Sequence, residues 1–346
     1  MHSYCLSMLN TGSMARALRA WPLAALAAAG LALTACSSSS SSSPPSGGQP
    51  TGTASVAYAA SLQFLNEKVF GPAFHTAKGY GYSGRAGESG TLQSEISAKE
   101  ISPNVFQAVG GDNIQPLFPS FTKWYVQYAG TQIAVAYNPS SKYGPQFAAI
   151  ASGTKPVCDL FPIMEKKGFL LGRTDPNTDP QGRSFIYMIE LAQNYCHLPA
   201  ITVAKILGSP VNSASSPQVF AETSLLAHLQ AGQLDASSAY LSQARQLHLH
   251  YIALPPAINL GDSAMANQYH NASITITGNV TKHGSPLAYV MTIIGKPASA
   301  STAFVAYALS PAGRALYQRE GYNLLPPTIT GDASAVPAAV KAEITG

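Results

Sequence analysis

The sequence predicts an α/β fold with room for two lobes. Short apolar runs of strand-like composition alternate with segments of helical periodicity over most of the chain. About 290 residues follow a serine-rich stretch near the start, which is more than one average domain requires. The chain is 46% hydrophobic and only 10% charged, so it can bury a large core.

The N-terminal segment carries the features of an export signal. Arg16 and Arg19 precede an apolar stretch over residues 21–33 that is short and rich in alanine. The stretch closes on Leu33-Thr34-Ala35-Cys36, which resembles the bacterial lipobox. In that family of signals the cysteine is lipidated, so we expect Cys36 to carry a lipid and to become the mature N-terminus. An ordinary signal peptide with an incidental cysteine is the alternative.

A flexible tether is predicted to follow the signal. The seven residues from Ser37 to Ser43 are all serine, and prolines and glycines come directly after them. Such a composition cannot bury apolar surface. Translation can begin at Met1 or at Met14, and both starts stay open.

Two serine loops each lead from a predicted strand into a predicted helix. Ser61 lies between the strand Ser55–Ala60 and a helix over Leu62–Thr76. A second helix, over Ser89–Lys99, begins at a serine after the strand Ala77–Ser83. A helix N-terminus carries unpaired N–H groups, and with a serine hydroxyl it can bind an oxyanion without a basic side chain. A simple N-cap role is the alternative for both serines.

The remaining elements continue the alternation of strands and helices. Further strands are predicted at Asn104–Ala108, Trp124–Tyr128, Gln132–Tyr137, Phe169–Arg173, Asp235–Tyr240, Tyr251–Leu254 and Leu287–Ile294. Further helices are predicted at Ser184–Cys196, Glu222–Ala231, Ala300–Leu309 and Pro311–Glu320. The polar stretch Thr174–Gly182 is predicted to be a loop, and Ser140–Pro145 a connection or hinge.

Charge and motif content argue against several classes of function. The net charge of +4 is small, and no cluster of basic residues is interleaved with aromatic residues, so no nucleic-acid partner is predicted. No Gly-rich phosphate loop with a lysine and no Gly-x-Ser-x-Gly nucleophile pattern occurs, so we do not expect an enzyme.

The histidine and cysteine content predicts neither a metal site nor a cofactor. His248 and His250 would share one face of a strand, but no third ligand lies nearby in the sequence. With Cys36 lipidated, Cys158 and Cys196 are the internal pair that remains in the mature chain. Export permits a disulfide between them, but two buried thiols are an equally open interpretation.

Eight short motifs follow one another in a fixed order along the mature chain. They lie at 59–62, 89–92, 133–139, 172–182, 222–225, 232–240, 251–255 and 258–260. In this order they resemble the extracytoplasmic tungstate- and molybdate-binding proteins of ABC importers. That family belongs to the type II periplasmic binding proteins, so the resemblance implies two α/β lobes joined by two hinge crossings, with the ligand in the cleft.

The resemblance also implies a set of residues that bind the anion. These are one serine from each serine loop, four residues of one segment and a tyrosine at a strand end: Ser61, Ser89, Asp179, Pro180, Gln181, Gly182 and Tyr240. Glu88, beside Ser89, opposes an anion unless it points away. A single carboxylate close to a dianion repels it, so we expect Asp179 to turn away or to be neutralised by partners such as Arg183.

A division of the chain follows from these expectations. Residues 1–36 form the signal and 37–51 the tether. Residues 52–134 form the first part of lobe one, and 135–287 form lobe two. Residues 288–346 return to lobe one and add the C-terminal helices.

The function implied is capture of molybdate or tungstate for an ABC importer. The protein is then a lipid-anchored, extracytoplasmic monomer whose partners are a permease and an ATPase, and it needs no cofactor. One alternative is another tetrahedral oxyanion, such as sulfate, phosphate or chromate. The other is a sensory lipoprotein that serves no transporter.

Overall fold

The computed structural model describes residues 50–345, so the predicted signal, Cys36 and nearly all of the predicted tether lie outside the described residues. Twelve strands are formed in this range: β1 (Thr53–Ala59), β2 (Gly81–Gly87), β3 (Val105–Val109), β4 (Trp124–Gly130), β5 (Ile133–Tyr137), β6 (Leu171–Gly172), β7 (Ala236–Tyr240), β8 (His250–Ile252), β9 (Ser273–Ile276), β10 (Val280–His283), β11 (Ala288–Ile293) and β12 (Asn323–Gly331).

Thirteen α-helices accompany them within the same range. They are α1 (Gly71–Lys78), α2 (Ser89–Ser97), α3 (Gly144–Ala151), α4 (Leu160–Met164), α5 (Pro180–Tyr195), α6 (Thr202–Leu207), α7 (Glu222–Gln230), α8 (Leu241–Gln246), α9 (Pro256–Asn259), α10 (Ala266–Tyr269), α11 (Ser299–Leu309), α12 (Pro311–Arg319) and α13 (Ala338–Thr345). None of the helices within residues 50–345 combines the length and the apolar composition that a membrane crossing requires.

The first lobe is built on a six-stranded mixed sheet. Its strand order is β12-β4-β11-β3-β1-β2, with β1 parallel to β2 and β3, and β11 antiparallel to β3 and β4. All five residues of β3 are buried, because both faces of the central strands are covered. Gln107 in β3 is satisfied inside this core by a hydrogen bond of 2.8 Å from the Asn66 amide.

The second lobe is built on a smaller sheet with the strand order β6-β7-β5-β8. Every residue of β5 and β7 is buried, and the two strands pair antiparallel from Ile133 opposite Tyr240 to Tyr137 opposite Ala236. The chain passes from the first sheet to the second between β4 and β5, and it returns before β11. These two crossings lie side by side, because Gly130 pairs with Ala288.

Most predicted elements are present, but several boundaries differ. The first helical segment runs over 60–78 and ends at Gly79, whose φ of 74° suits a glycine, so β2 begins later than predicted. Helix α5 begins at Pro180 instead of Ser184, because Asp179 caps it. The last residues of the predicted polar loop Thr174–Gly182 therefore form the first turn of a helix.

Several elements were not predicted: the strands β9, β10 and β12 and the helices α3, α4, α6, α9, α10 and α13. Pro326 and Pro327 interrupt the strand pattern of β12, and the pairing with β4 shifts register between Leu324 and Thr328. Proline is tolerated here because β12 lies at the edge of the sheet. The segment after Asn138, predicted to be a hinge, leads into α3.

The two cysteines whose state the sequence left open form a disulfide. The Cα atoms of Cys158 and Cys196 are 5.5 Å apart, and the bond joins a 3-10 turn before α4 to the C-terminal end of α5. The interpretation as two buried thiols is therefore wrong.

Replacing both Cys158 and Cys196 by Ser is expected to lower the free energy of unfolding by about 4 kcal/mol. The two cysteines are 38 residues apart in the sequence, and the open loop gives the unfolded chain more conformational entropy. Urea unfolding followed by circular dichroism measures the loss. A parent protein whose unfolding midpoint does not change when reductant is added contradicts the disulfide.

Candidate functional site

The residues predicted to bind a ligand lie where strands of the two lobes end opposite each other. Ser61 follows β1, Ser89 is the first residue of α2 after β2, and Tyr240 is the last residue of β7. Asp179 caps α5, whose first turn contains the other three predicted residues, Pro180, Gln181 and Gly182. All seven are buried. The carboxyl ends of strands are where ligands bind in open α/β sheets.

Several buried polar atoms at this place have no hydrogen-bond partner in the protein. They are the Ser61 Oγ, the Thr174 Oγ1, the Asp179 Oδ2 and the hydroxyl oxygens of Tyr240 and Tyr289. Each such group costs about 1–3 kcal/mol when no partner replaces water. Several of them together, in otherwise well-packed surroundings, indicate a site that a polar ligand completes.

The five partnerless groups belong to one cluster. The Asp179 carboxyl lies near the Thr174 side chain, without the geometry of a hydrogen bond, and acts electrostatically on Tyr240. The Tyr289 hydroxyl lies near that of Ser61, without the geometry of a hydrogen bond. Burial raises the pKa of both tyrosines well above its usual value, so their hydroxyls stay protonated and can donate.

Ser89 differs from Ser61 in the hydrogen bonds of its hydroxyl. The Ser89 Oγ accepts a hydrogen bond of 3.2 Å from the Val109 N–H, which leaves its own proton free to donate to a ligand. The Ser61 Oγ has no partner at all, although the Ser61 carbonyl accepts from the Tyr322 hydroxyl at 2.9 Å. Ser89 therefore supports the first lobe as well as facing the site.

Asp179 is held in place by the helix that it caps. Its Oδ1 accepts a hydrogen bond of 2.9 Å from the Gln181 N–H, at the positive end of the 16-residue helix α5. Burial and the charge of Glu88 raise the pKa of Asp179 to about 7, although the hydrogen bond from Gln181 opposes them. The carboxyl faces the cluster of partnerless groups and does not turn away from it.

The neutralising ion pair that we expected between Asp179 and Arg183 is not formed. The Arg183 Nη2 lies 3.9 Å from the Asp112 Oδ2 of the other lobe, and its Nη1 donates to the Pro176 carbonyl at 3.2 Å. Arg183 lowers the pKa of Asp179, but less than burial and Glu88 raise it. Burial and the charge of Glu88 therefore favour the protonated form of Asp179.

Glu222 is a site residue outside the set of seven that the resemblance implied. It begins α7 and is buried, and its Oε1 accepts hydrogen bonds from the side-chain amides of Gln181 at 3.1 Å and Gln243 at 3.2 Å. Burial and the charges of Asp179 and Glu88 raise its pKa. The motif at 222–225 contained this residue, but a glutamate at this position does not match the family's ligand positions.

Glu88 turns toward the other lobe. Its Oε2 accepts hydrogen bonds from the hydroxyls of Thr178 and Thr91, and the Gly90 N–H donates to the Thr178 carbonyl at 2.9 Å. A Cβ on Gly90 would lie 2.5 Å from that carbonyl oxygen, so the close approach requires glycine. The lobes are thus in direct contact beside the cluster.

A groove between the lobes leads to this cluster. Its volume is about 630 Å³, and its walls include Ser61, Glu222 and Gln243. Within residues 50–345, no three His, Cys, Asp or Glu side chains lie close enough together to hold a metal ion. Because Ser61 belongs both to the wall of the groove and to the cluster, the groove reaches the partnerless hydroxyl groups.

This chain is similar in sequence to a family of binding proteins and to several named relatives. Residues 54–323 match the family model of the bacterial extracellular solute-binding proteins. A Haloferax volcanii protein, provisionally named as an ABC transporter molybdenum-binding protein, is 34% identical over 188 residues, which are 54% of this chain and 57% of that protein. The molybdate/tungstate-binding protein WtpA of Pyrococcus abyssi is 27% identical over 234 residues, 62% of this chain and 66% of WtpA. The chain thus spans a little under two thirds of these relatives.

A solved structure with the same fold is the periplasmic molybdate-binding protein of Azotobacter vinelandii. It aligns with a TM-score of 0.51 at 16% sequence identity, covering 78% of this chain and 98% of that protein. At this identity the likeness concerns the fold alone. It confirms the predicted two-lobed α/β architecture.

Substitution of the two serines is expected to have different effects on stability. Ser89→Ala should lower the free energy of unfolding by about 1–3 kcal/mol, because it leaves the buried Val109 N–H without an acceptor. Ser61→Ala should not lower it, because its hydroxyl has no partner to lose. Urea unfolding of the ligand-free protein measures both, with the exposed Ser94→Ala on α2 as the control. Equal losses for the two variants would contradict the assigned hydrogen bonds.

Proposed function

Because the chain belongs to the bacterial extracellular solute-binding proteins, we propose that it captures molybdate or tungstate and delivers it to the permease and ATPase of an ABC importer. The names of the relatives from Haloferax volcanii and Pyrococcus abyssi support this choice of ligand. The observation that carries the proposal is the buried cluster of partnerless hydroxyl groups between the lobes.

The chemistry of the cluster suits a tetrahedral oxyanion. Hydroxyl donors come from both lobes: Ser61, Ser89 and Tyr289 from the first, and Tyr240 from the second. The helices α2 and α5 both begin at the site, and helix N-termini favour negative charge. Fixed dipoles of this kind stabilise a desolvated anion without a salt bridge, which is consistent with Arg183 being paired to Asp112.

The proposal includes an anchor outside the described residues. A lipid on Cys36, followed by the serine-rich tether, would hold the monomeric binding protein at the outer face of the cytoplasmic membrane, where an importer collects its ligand. Extracytoplasmic placement agrees with the family to which the chain belongs.

Addition of molybdate or tungstate to the purified protein is expected to raise its melting temperature, with one anion bound per chain. A ligand that binds only the folded state stabilises it by mass action, by about 2.7 kcal/mol at a hundred times the dissociation constant. A thermal-shift panel followed by calorimetric titration measures this. Stabilisation by sulfate, phosphate or chromate, with no response to molybdate or tungstate, would overturn the ligand assignment.

Titration of site variants tests whether the anion binds at the proposed cluster. Ser61→Ala removes a hydroxyl donor to a charged ligand, which is worth about 1.5–3 kcal/mol, so its dissociation constant should rise roughly ten- to hundredfold. Ser94→Ala, on the exposed face of α2, should bind as the parent does. Parent-like binding by Ser61→Ala would place the ligand elsewhere.

Cys36→Ala is expected to release the protein from the membrane. No other anchor is proposed, because the tether that follows Cys36 has no apolar stretch to replace the lipid. Fractionation of cells that express the full chain, with a high-salt wash of the membranes, measures the distribution. Retention of the variant in the washed membranes would exclude Cys36 as the point of attachment.

A further inference from the structure

Two carboxyl groups share the site proposed for an anion. Asp179 and Glu222, here called the carboxyl pair, come from the starts of helices α5 and α7 and are both buried. Burial and the charge of Asp179 both raise the pKa of Glu222, so the two carboxyls are close neighbours and Glu222 favours its protonated form. Their presence needs an explanation, because ionised carboxylates would repel the dianion that the cluster of hydroxyls suits.

Amide donors hold one oxygen of each carboxyl. The Glu222 Oε1 accepts from the side chains of Gln181 and Gln243, and the Asp179 Oδ1 accepts from the Gln181 N–H. The Gln243 Oε1 is itself fixed by the Tyr240 N–H at 3.1 Å, so these amides keep their orientation. The Asp179 Oδ2 is left without a partner, beside the hydroxyls of the site.

The charges around the pair do not neutralise it. Glu88 of the first lobe faces both members and adds negative charge, while the neutral hydroxyls of Tyr240 and Tyr289 lie on the strands β7 and β11. Among the described residues, Arg183 on α5 is the cation that acts on Asp179. It lies 3.9 Å from Asp112, which also binds Lys282 at 2.7 Å. A bound dianion would add two negative charges to a site that already contains Asp179, Glu222 and Glu88.

We propose that capture of the oxyanion takes up one proton from solvent, and that this proton settles on Asp179, whose Oδ2–H then donates a hydrogen bond to the bound anion. The proposal rests on the proposed function and deepens it. A hydronium ion or buffer acid loses the proton, the Asp179 carboxylate gains it, and no other bond changes. The site thereby gains one negative charge on binding instead of two.

A proton on Asp179 explains how a carboxyl group can contribute to binding an anion. A carboxylic acid kept neutral by burial is a strong donor, whereas its ionised form can only accept. Burial and Glu88 hold the pKa of Asp179 at about 7 before the ligand arrives, and the negative charge of the ligand moves it higher. The ligand class is therefore an anion whose oxygens carry no proton and accept hydrogen bonds on every side.

The experiment is calorimetric titration of the full-length protein with molybdate in buffers of different ionisation enthalpy, at pH 8 and at pH 6. At pH 8 Asp179 is mostly ionised, so uptake close to one proton per anion is expected; at pH 6 it is mostly protonated, so uptake close to zero is expected. The affinity should rise about fivefold from pH 8 to pH 7, by about a further twofold to pH 6, and then level off. Binding at pH 8 without proton uptake would overturn the inference and leave the proposed function standing. No binding of molybdate or tungstate would overturn both.

Two substitutions locate the proton. Asp179→Asn keeps an oxygen to cap α5 and presents an amide N–H that never titrates, so proton uptake and the pH dependence of affinity should both disappear. Glu190→Gln is the matched control, because Glu190 is a largely buried carboxyl of the same lobe that binds the Ser273 N–H away from the site; it should take up protons as the parent does. Parent-like uptake by Asp179→Asn, or complete loss of binding by this variant in its folded form, would overturn the assignment to Asp179.

Discussion

The structure depends on the need to give every buried polar group a partner. In each lobe strands end beside the cleft, where the hydroxyls of Ser61, Tyr240 and Tyr289 are sealed from water without a protein acceptor or donor. The side-chain oxygen of Gln107, by contrast, is satisfied inside the first sheet by the Asn66 amide. The polar cluster is stable as a closed arrangement only if a ligand supplies the missing hydrogen bonds. Closure of the lobes and binding of the proposed ligand would therefore both serve to give these buried hydroxyls hydrogen-bond partners.

Contact between the lobes uses residues that adjoin this cluster. The Gly90 N–H and the Glu88 carboxyl both bind Thr178, which precedes the helix cap Asp179, and Asp112 binds Lys282 across the cleft. The two crossings between the lobes lie at the same edge of the first sheet, where Gly130 pairs with Ala288. Because the closing contacts and the ligand groups belong to the same short segments, a ligand that fills the cluster also holds the lobes together.

Much of this architecture could be predicted because the signals are local. The apolar runs of β3 and β5 and the serine at the start of α2 are visible in a few consecutive residues, and the structure agrees with them to within a few positions. The edge strand β12 was missed because its two prolines contradict a strand pattern and are tolerated only at an edge. The start of α5 was placed too late because Asp179-Pro180 is typical of turns as well as of helix starts.

The sequence by itself determined the α/β alternation, the order of the motifs and the positions of Ser61, Ser89 and Tyr240 at the ends of elements, because these follow from periodicity and capping within short windows. Only the tertiary structure decided that Glu222 lies against Asp179, that Arg183 pairs with Asp112, and that Cys158 joins Cys196. These contacts link segments far apart in the chain. The charge state of a carboxyl depends on burial and on such distant neighbours, so no local pattern specifies it.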